Sequence, residues 1–356
     1  MSSIEPASEY IIRPARLDDG AQVQALFAVA FGKSNSEASW RWKLWQHTTP
    51  LQNVWVAVSG GTVIGHYAGT PLRFWHNGQA ITAMVSVDGM VHPDHRRQGV
   101  LTSMVTACHA HWVEHEVAFT LGLPNEQWRS RKQALGWQSL FPLAWQIMPL
   151  RLEALAAGRL GLPPLGRFRL LSQSWHGFWR VGRKLDDSVY WEPLDQRLDE
   201  IDHLWQTIQP RLNLSVLRTG EWIAWRYLTA PHYTYRVMLA RRGEQTIGYM
   251  AYRLQATNRY GPVAYLAELV CDPTDARLTA TLVAHAVHHL ASEGAVAALT
   301  LAIPGTRLHT TLRQAGFRFS FGAFDTCITP LCLEPVPTDF FVPSHWSLCG
   351  GDFDVI

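Results

Sequence analysis

The sequence predicts an α/β fold, a mixed sheet in the α+β manner, built twice along one chain with the second copy degenerate. Three observations carry this expectation. Short apolar runs with strand alternation are interleaved with segments of helical spacing. One stretch, Met84 to Met104, reads as strand, glycine-bearing loop and helix start. Several landmarks then recur at one nearly constant offset, the mark of a duplication.

In order, residues 1–9 read as a loose tail and Tyr10 to Ala15 as an edge strand. Asp18 and Asp19 start a helix that carries Val23, Leu26, Phe27 and Ala30 at helical spacing. A second helix, Glu37 to His47, holds Trp40, Trp42, Leu44 and Trp45. Strands Val54 to Val58 and Thr62 to Thr70 flank the Gly60-Gly61 turn, and Arg73 to Ala83 forms a further strand with a turn at Asn77-Gly78. The central stretch opens with Met84, Val85, Val87, Met90 and Val91 in rough alternation, and Pro93-Asp94 ends that strand. Arg96, Arg97, Gln98 and Gly99 follow, and Val100, Leu101, Met104 and Val105 begin a helix to about Glu116. Such a turn offers backbone N–H groups at the positive end of a helix dipole, with two guanidinium groups beside them. It suits a pyrophosphate and calls for no metal. A strand at Ala118 to Leu123, a helix opened by Asn125 and a strand near Gln138 to Ile147 complete the first half.

The 356 residues leave room for two domains. With 47% hydrophobic and 17% charged residues the chain is globular, and a net charge of +2 argues against a nucleic-acid partner. The 16 tryptophans are expected mainly in cores and packing faces. Five cysteines, Cys108, Cys271, Cys327, Cys332 and Cys349, show no C-x-x-C pairing, and no signal peptide is apparent; reduced thiols in a cytoplasm are expected. No apolar run reaches membrane-spanning length. Residues 151–185 are basic, with Arg151, Arg159, Arg167, Arg169, Arg180, Arg183 and Lys184 beside aromatic residues on one helical face. Two readings stand, a helix lying on a membrane surface and a linker helix packed by its aromatic side; the linker is favoured.

The second half then echoes the first. Trp42-Lys43-Leu44 with Pro50 finds a counterpart in Trp225-Arg226-Tyr227-Leu228 with Pro231, and Ile64-Gly65 in Ile247-Gly248. Asp88 with Pro93 matches Glu268 with Pro273, and Gly136-Trp137 matches Gly316-Phe317, all about 180 residues apart. Where the first copy has Arg96-Arg97-Gln98-Gly99, the second has Ala276-Arg277-Leu278-Thr279, so the anion loop is expected only in the first. The expected organisation is 1–150, a linker at 151–185, a degenerate copy at 186–334 and a tail at 335–356 that docks back.

The run Val91-x-Pro93-x-x-Arg96-Arg97-Gln98-Gly99-Val100 resembles the acetyl-CoA signature of the GNAT acetyltransferase superfamily, Q/R-x-x-G-x-G/A. Leu101 departs from it, standing where the family has a small residue. The form HRRQGVLTSM is similar to the enhanced-intracellular-survival acetyltransferases and to GNAT proteins of polysaccharide clusters. Leu123-Pro124-Asn125 and Leu135-Gly136-Trp137 fall in the order that the family shows. The closing Trp346 and Gly351-Asp352-Phe353-Asp354-Val355-Ile356 are similar to tails of the polysaccharide-cluster proteins.

The resemblance implies acetyl-CoA as co-substrate. It assigns Gly89, Met90 and Val91 to the pantetheine and thioester, with an N–H near Val91 polarising the carbonyl. It assigns Arg97, Gln98, Gly99, Val100, Leu101 and Thr102 to the pyrophosphate, with Arg96 beside them and Asn125 opening the next helix. Asp88 is the candidate base, and a structural carboxylate is the equal alternative. His66, Tyr67 and His92 are possible helpers, and Glu268 matches Asp88 in the second copy. The family often places a tyrosine acid where this chain has Lys132. The survival-factor enzymes use a C-terminal carboxylate as base, which makes Ile356 a further candidate, though this chain lacks the sterol-carrier-like domain that delivers it there. The implied function is N-acetyl transfer to a small-molecule amine, an amino sugar among the acceptors. The alternatives are a non-catalytic CoA-binding or acyl-binding module and a FemAB-like aminoacyltransferase. Peripheral membrane contact and oligomeric state stay open.

Overall fold

The computed structural model describes residues 10–124, 135–152, 154–155, 185–257, 261–318, 320 and 322–353. The chain divides into two compact units. Met1–Phe74, Gln79–Leu140 and Asp325–Thr338 form the first; Trp75–Gly78, Phe141–Phe324 and Asp339–Ile356 form the second. Among the described residues no helix is long and apolar enough to cross a membrane. None of the five cysteines is in a disulfide.

The first unit runs β1 (Ile11–Pro14), α1 (Gly20–Phe31), α2 (Glu37–Trp45), β2 (Val54–Ser59), β3 (Thr62–His76), β4 (Gln79–Val91), α3 (Val100–Glu114) and β5 (Val117–Gly122). Ser36 starts α2 by accepting the Ser39 N–H at 3.0 Å. β1 pairs antiparallel with β2, and β2 with β3. The turn at Asn77-Gly78 forms as expected, with both residues left-handed. The strand before it does not stop at Thr70, however. Pro71 removes one N–H from β3 without ending it, so a single strand reaches His76.

β4 and β5 are parallel and pair only from Thr82–Val85 against Val117–Leu121. Beyond Val85 the two strands part, and Asp88, with φ 50°, marks the break. The core of this unit gathers Trp55, Tyr67, Met84, Met104, Trp112 and Trp137. Burying each such side chain contributes roughly 1.5–3 kcal/mol.

In the second unit, β6 (Gln138–Pro149) is followed by β7 (Val189–Pro193), α4 (Leu198–Ile208), β8 (Leu214–Val216) and α5 (Gly220–Ile223), which runs into a π-helical turn at Ala224–Leu228. Then come β9 (Tyr235–Arg242), β10 (Gln245–Gln255), β11 (Val263–Cys271), α6 (Ala276–Ser292), β12 (Ala297–Ala302) and α7 (Arg307–Ala315). β7, β9, β10 and β11 are joined by antiparallel ladders. β11 and β12 are parallel and pair only from Val263–Tyr265 against Ala297–Leu299 before they too part. Strand, two helices, three antiparallel strands, helix and parallel strand thus recur in the order of the first unit.

One repeated landmark has a packing reason. A Cβ at Gly65 would lie 2.7 Å from Met104 Cε, and one at Gly248 would lie 2.6 Å from Leu282 Cδ1. Each glycine lets the following helix, α3 or α6, lie close on its sheet.

The units do not follow the consecutive limits 1–150 and 186–334. From Ala144 to Pro149, β6 pairs antiparallel with β12 and so belongs to the second unit. The late strand β13 (Ala323–Pro330) pairs antiparallel with β5 through Cys327–Pro330 and so belongs to the first. Hydrogen-bond partners fix unit membership here, not position along the chain. The basic linker lies almost wholly outside the described residues. In the tail, β14 (Trp346–Ser347) pairs parallel with β8. Trp346 Nε1 donates to Phe340 O at 2.8 Å. A short helical turn at Gly350–Asp352 follows, fully buried in the second unit.

Candidate functional site

The first candidate site begins where β4 leaves β5. Pro93–His95 form a single helical turn, and the chain then enters α3 through Arg97, at φ 65°, and Gly99, at φ 81°. Arg96 Nε donates to Val91 O at 3.2 Å, and Gln98 Nε2 donates to Asp94 O at 3.2 Å, so side chains brace the loop from within. Two left-handed residues just before a helix turn successive amides toward one side, an anion-binding concavity. Gly99 is the N-cap of α3 and no side chain caps that helix, which leaves its first-turn amides for a ligand.

Gly89, Met90, Val91, Arg96, Arg97, Gly99, Val100 and Leu101 line one crevice here, together with Ala30 and Phe31 of α1. Eight of the predicted cofactor residues therefore meet. Gln98 and Thr102 do not line it and lie on the exposed side of the same turn. Leu101, the residue that departs from the family signature, also packs against the core cluster. Asn125, Lys132 and Ile356 lie outside the described residues.

Asp88 stands at the mouth of the strand break in an ion pair with Lys43 of α2 at 2.6 Å, both side chains about 11% exposed. Behind it, His66 is fully buried. Trp40 Nε1 donates to His66 Nε2 at 3.1 Å, so the ring proton sits on Nδ1 and faces Asp88 O at 2.8 Å. Burial holds the imidazole below its usual range, and Asp88 only partly offsets this. Both ring nitrogens are engaged, so His66 serves to hold the left-handed Asp88 backbone and is not placed to take a proton. Tyr67 is likewise buried, accepting from Ser86 Oγ at 3.2 Å, and burial pushes its phenol up. His92 accepts the Asp94 N–H and caps the Pro93–His95 turn. The sequence reading missed Lys43. Its signal was a lysine kept among tryptophans in a segment that recurs with a basic residue, Arg226.

A second cluster, wholly inside the second unit, surrounds Glu268. Arg218 Nε donates to Glu268, and its two terminal nitrogens reach Ser215 Oγ at 2.6 Å, Val216 O at 2.9 Å and the Asp352 carboxylate at 3.0 Å. Tyr227 Oη and Cys349 Sγ donate to Glu268 at 3.1 and 3.3 Å. Arg226 clamps the tail backbone, donating to Gly351 O at 2.7 Å and Phe353 O at 2.9 Å. A Cβ at Gly351 would collide with Tyr227 Oη, so the tail enters only as glycine. Glu268, Cys349 and Asp352 lie close enough together to hold a cation, and the guanidinium of Arg218 is that cation. Glu268 is therefore a structural carboxylate, where Asp88 stands at a crevice. Nothing local in the sequence marked Arg218.

One guanidinium faces two carboxylates, and the titration follows from that. Burial pushes the Asp352 carboxyl up to about 6; Arg218 opposes the shift and Glu268 adds to it. A raised carboxyl favours folding below its unfolded value near 4, and that contribution is lost as pH rises through about 6. Asp352→Asn should remove this slope. Thermal melts from pH 4 to pH 7 should show wild type losing more stability than the variant, and equal slopes would contradict the assignment.

Residues 11–137 match the family described as Acetyltransferase (GNAT) domain. No curated protein matches the chain. Many solved structures share its fold, three of them as follows. A GCN5-related N-acetyltransferase from Anabaena variabilis ATCC 29413 aligns with a TM-score of 0.64 at 14% identity, over 90% of this chain and 72% of that one. Its counterpart from Kribbella flavida gives 0.63 at 14%, over 92% and 72%. The Saccharomyces cerevisiae N-myristoyltransferase with bound myristoyl-CoA gives 0.59 at 11%, over 92% and 84%. The strand break, the left-handed loop and the uncapped helix all fall within residues 11–137, the segment that matches the GNAT acetyltransferase domain.

Proposed function

We propose that the first unit is an N-acyltransferase that moves an acetyl group from acetyl-CoA to the amine of a small molecule, with amino sugars among its acceptors. The observation that carries this reading is the uncapped start of α3, preceded by left-handed Arg97 and Gly99 and opening where β4 leaves β5. The α3 amides and Arg97 hold the pyrophosphate, Arg96 adds charge, and Gly89 to Val91 run beside the pantetheine arm. Acetyl-CoA supplies the activated thioester; the residues here hold it and take up the proton that the amine releases on attack. Asp88 is assigned that task in this proposal, and Lys43 fixes its position. In this proposal the second unit is a degenerate copy of the same fold that carries no acetyl-CoA. The setting in this proposal is cytoplasmic.

Asp88→Asn tests the assignment of the base. It should lower kcat for a responsive amine by about 10²–10⁴-fold, while acetyl-CoA affinity stays within about threefold because no cofactor contact is removed. Thiol release measured with a panel of amino sugars and small amines provides the readout. Unchanged kcat would make Asp88 a structural carboxylate. Cofactor binding without turnover on any amine would favour the non-catalytic reading.

A further inference from the structure

The second unit has a crevice of its own at the equivalent place. Leu269 to Cys271 stand about 180 residues after Gly89 to Val91, beside a strand break, and Thr279, in the first turn of α6, stands 180 after Gly99. These residues line a cavity of about 410 Å³, larger than the roughly 110 Å³ of the first crevice. Its chemistry differs in two ways.

The helix start is closed to phosphate. The Asp275 carboxylate caps α6, accepting the Leu278 N–H at 2.8 Å, and Thr279 Oγ1 donates to Asp275 O at 2.9 Å. The amides that α3 leaves open are here partly taken, and a negative charge sits among them. No left-handed glycine precedes the helix either.

The walls are part apolar and part lined by serine and threonine, with cations at the edge. Trp205, Leu212, Leu308 and Trp346 provide the apolar part, and among the described residues no acidic side chain lines the cavity. Arg218 at its floor is neutralised from behind by Glu268 and Asp352. Arg307 is pinned at the rim by Nη1, which donates to Pro273 O at 2.9 Å and Thr274 O at 2.7 Å. Among the described residues its Nε and Nη2 have no partner, so one edge of a fixed guanidinium is available. Arg211 also lines the cavity, held by Asp272 through one nitrogen.

We infer that this cavity binds a small organic anion with an apolar body, a medium-chain carboxylate, at a site separate from that of acetyl-CoA. The carboxylate meets the open edge of Arg307, and the chain lies against the tryptophan and leucine walls. A polyphosphate is excluded by Asp275 and by the missing glycine turn.

Calorimetric titration with octanoate tests this, with octan-1-ol as the neutral control and a repeat in saturating acetyl-CoA. Saturable octanoate binding is expected, unchanged by acetyl-CoA and at least about tenfold tighter than for the alcohol. Arg307→Gln should weaken it by about tenfold or more. Ser344→Trp, an exposed rim position, should abolish it by covering the mouth, and remains informative should Arg307→Gln fail to fold. No saturable binding, displacement by acetyl-CoA, equal affinity for the alcohol, or indifference to Ser344→Trp would each overturn the inference.

Discussion

Arg218→Met is expected to lower the unfolding free energy by about 3–5 kcal/mol, a large part of the roughly 5–15 kcal/mol that holds a typical domain folded. Arg218 is 3% exposed, and its guanidinium is the cation between two carboxylates that are themselves buried. Methionine fills comparable space but leaves Glu268 and Asp352 facing each other without a counter-charge. The loss should be greater at pH 8 than at pH 5, because protonation of the Asp352 carboxyl relieves it in acid. Arg218→Lys should fall between the two, keeping the charge but not the fork that reaches Ser215, Val216, Ser347 and Asp352 at once. The tail is tied by the same group, so the variant should also expose Trp346 to Phe353 to protease. Urea unfolding followed by circular dichroism reads the first effect and limited proteolysis the second. A change below about 1 kcal/mol would show that the cluster is not what holds the tail.

Gly99→Glu should weaken acetyl-CoA binding by at least about a hundredfold, near 2.7 kcal/mol. Gly99 sits at φ 81°, where an L-residue costs about 1–2 kcal/mol. A Cβ there meets only Tyr10 Oη, at 3.9 Å, so the fold has room for it. The damage comes from a carboxylate set where a pyrophosphate belongs, together with relaxation of the left-handed turn. Gly99→Ala carries only the second of these and should lose less. The melting temperature should move by no more than a few degrees in either variant.

Local signals were legible and long-range ones were not. The Met84 to Met104 stretch could be read because alternation, Pro93, Gly99 and helical spacing are each written within a few residues. The eight lining residues followed from that stretch. The length of β3 was less legible, since Pro71 lacks an N–H yet stays within a strand that runs past Thr70 to His76. The exchange of β6 and β13 between units was invisible, because Cys327–Pro330 meets its partner β5 some two hundred residues away and no local pattern encodes that choice. The same holds for Arg218. Its two acids stand 50 and 134 residues further on, so only the folded chain shows why an arginine is kept in an apolar interior. Asp88 lay between these cases. Its place ahead of the loop was readable, whereas its ion pair with Lys43 depended on how α2 packs.

The most direct test is a calorimetric titration of the wild-type chain with acetyl-CoA, counting sites. The crevice at α3 is built for pyrophosphate and its counterpart at α6 is closed by Asp275. One acetyl-CoA per chain should therefore bind, and Gly99→Glu should remove it. No binding, or binding indifferent to Gly99→Glu, would contradict the account.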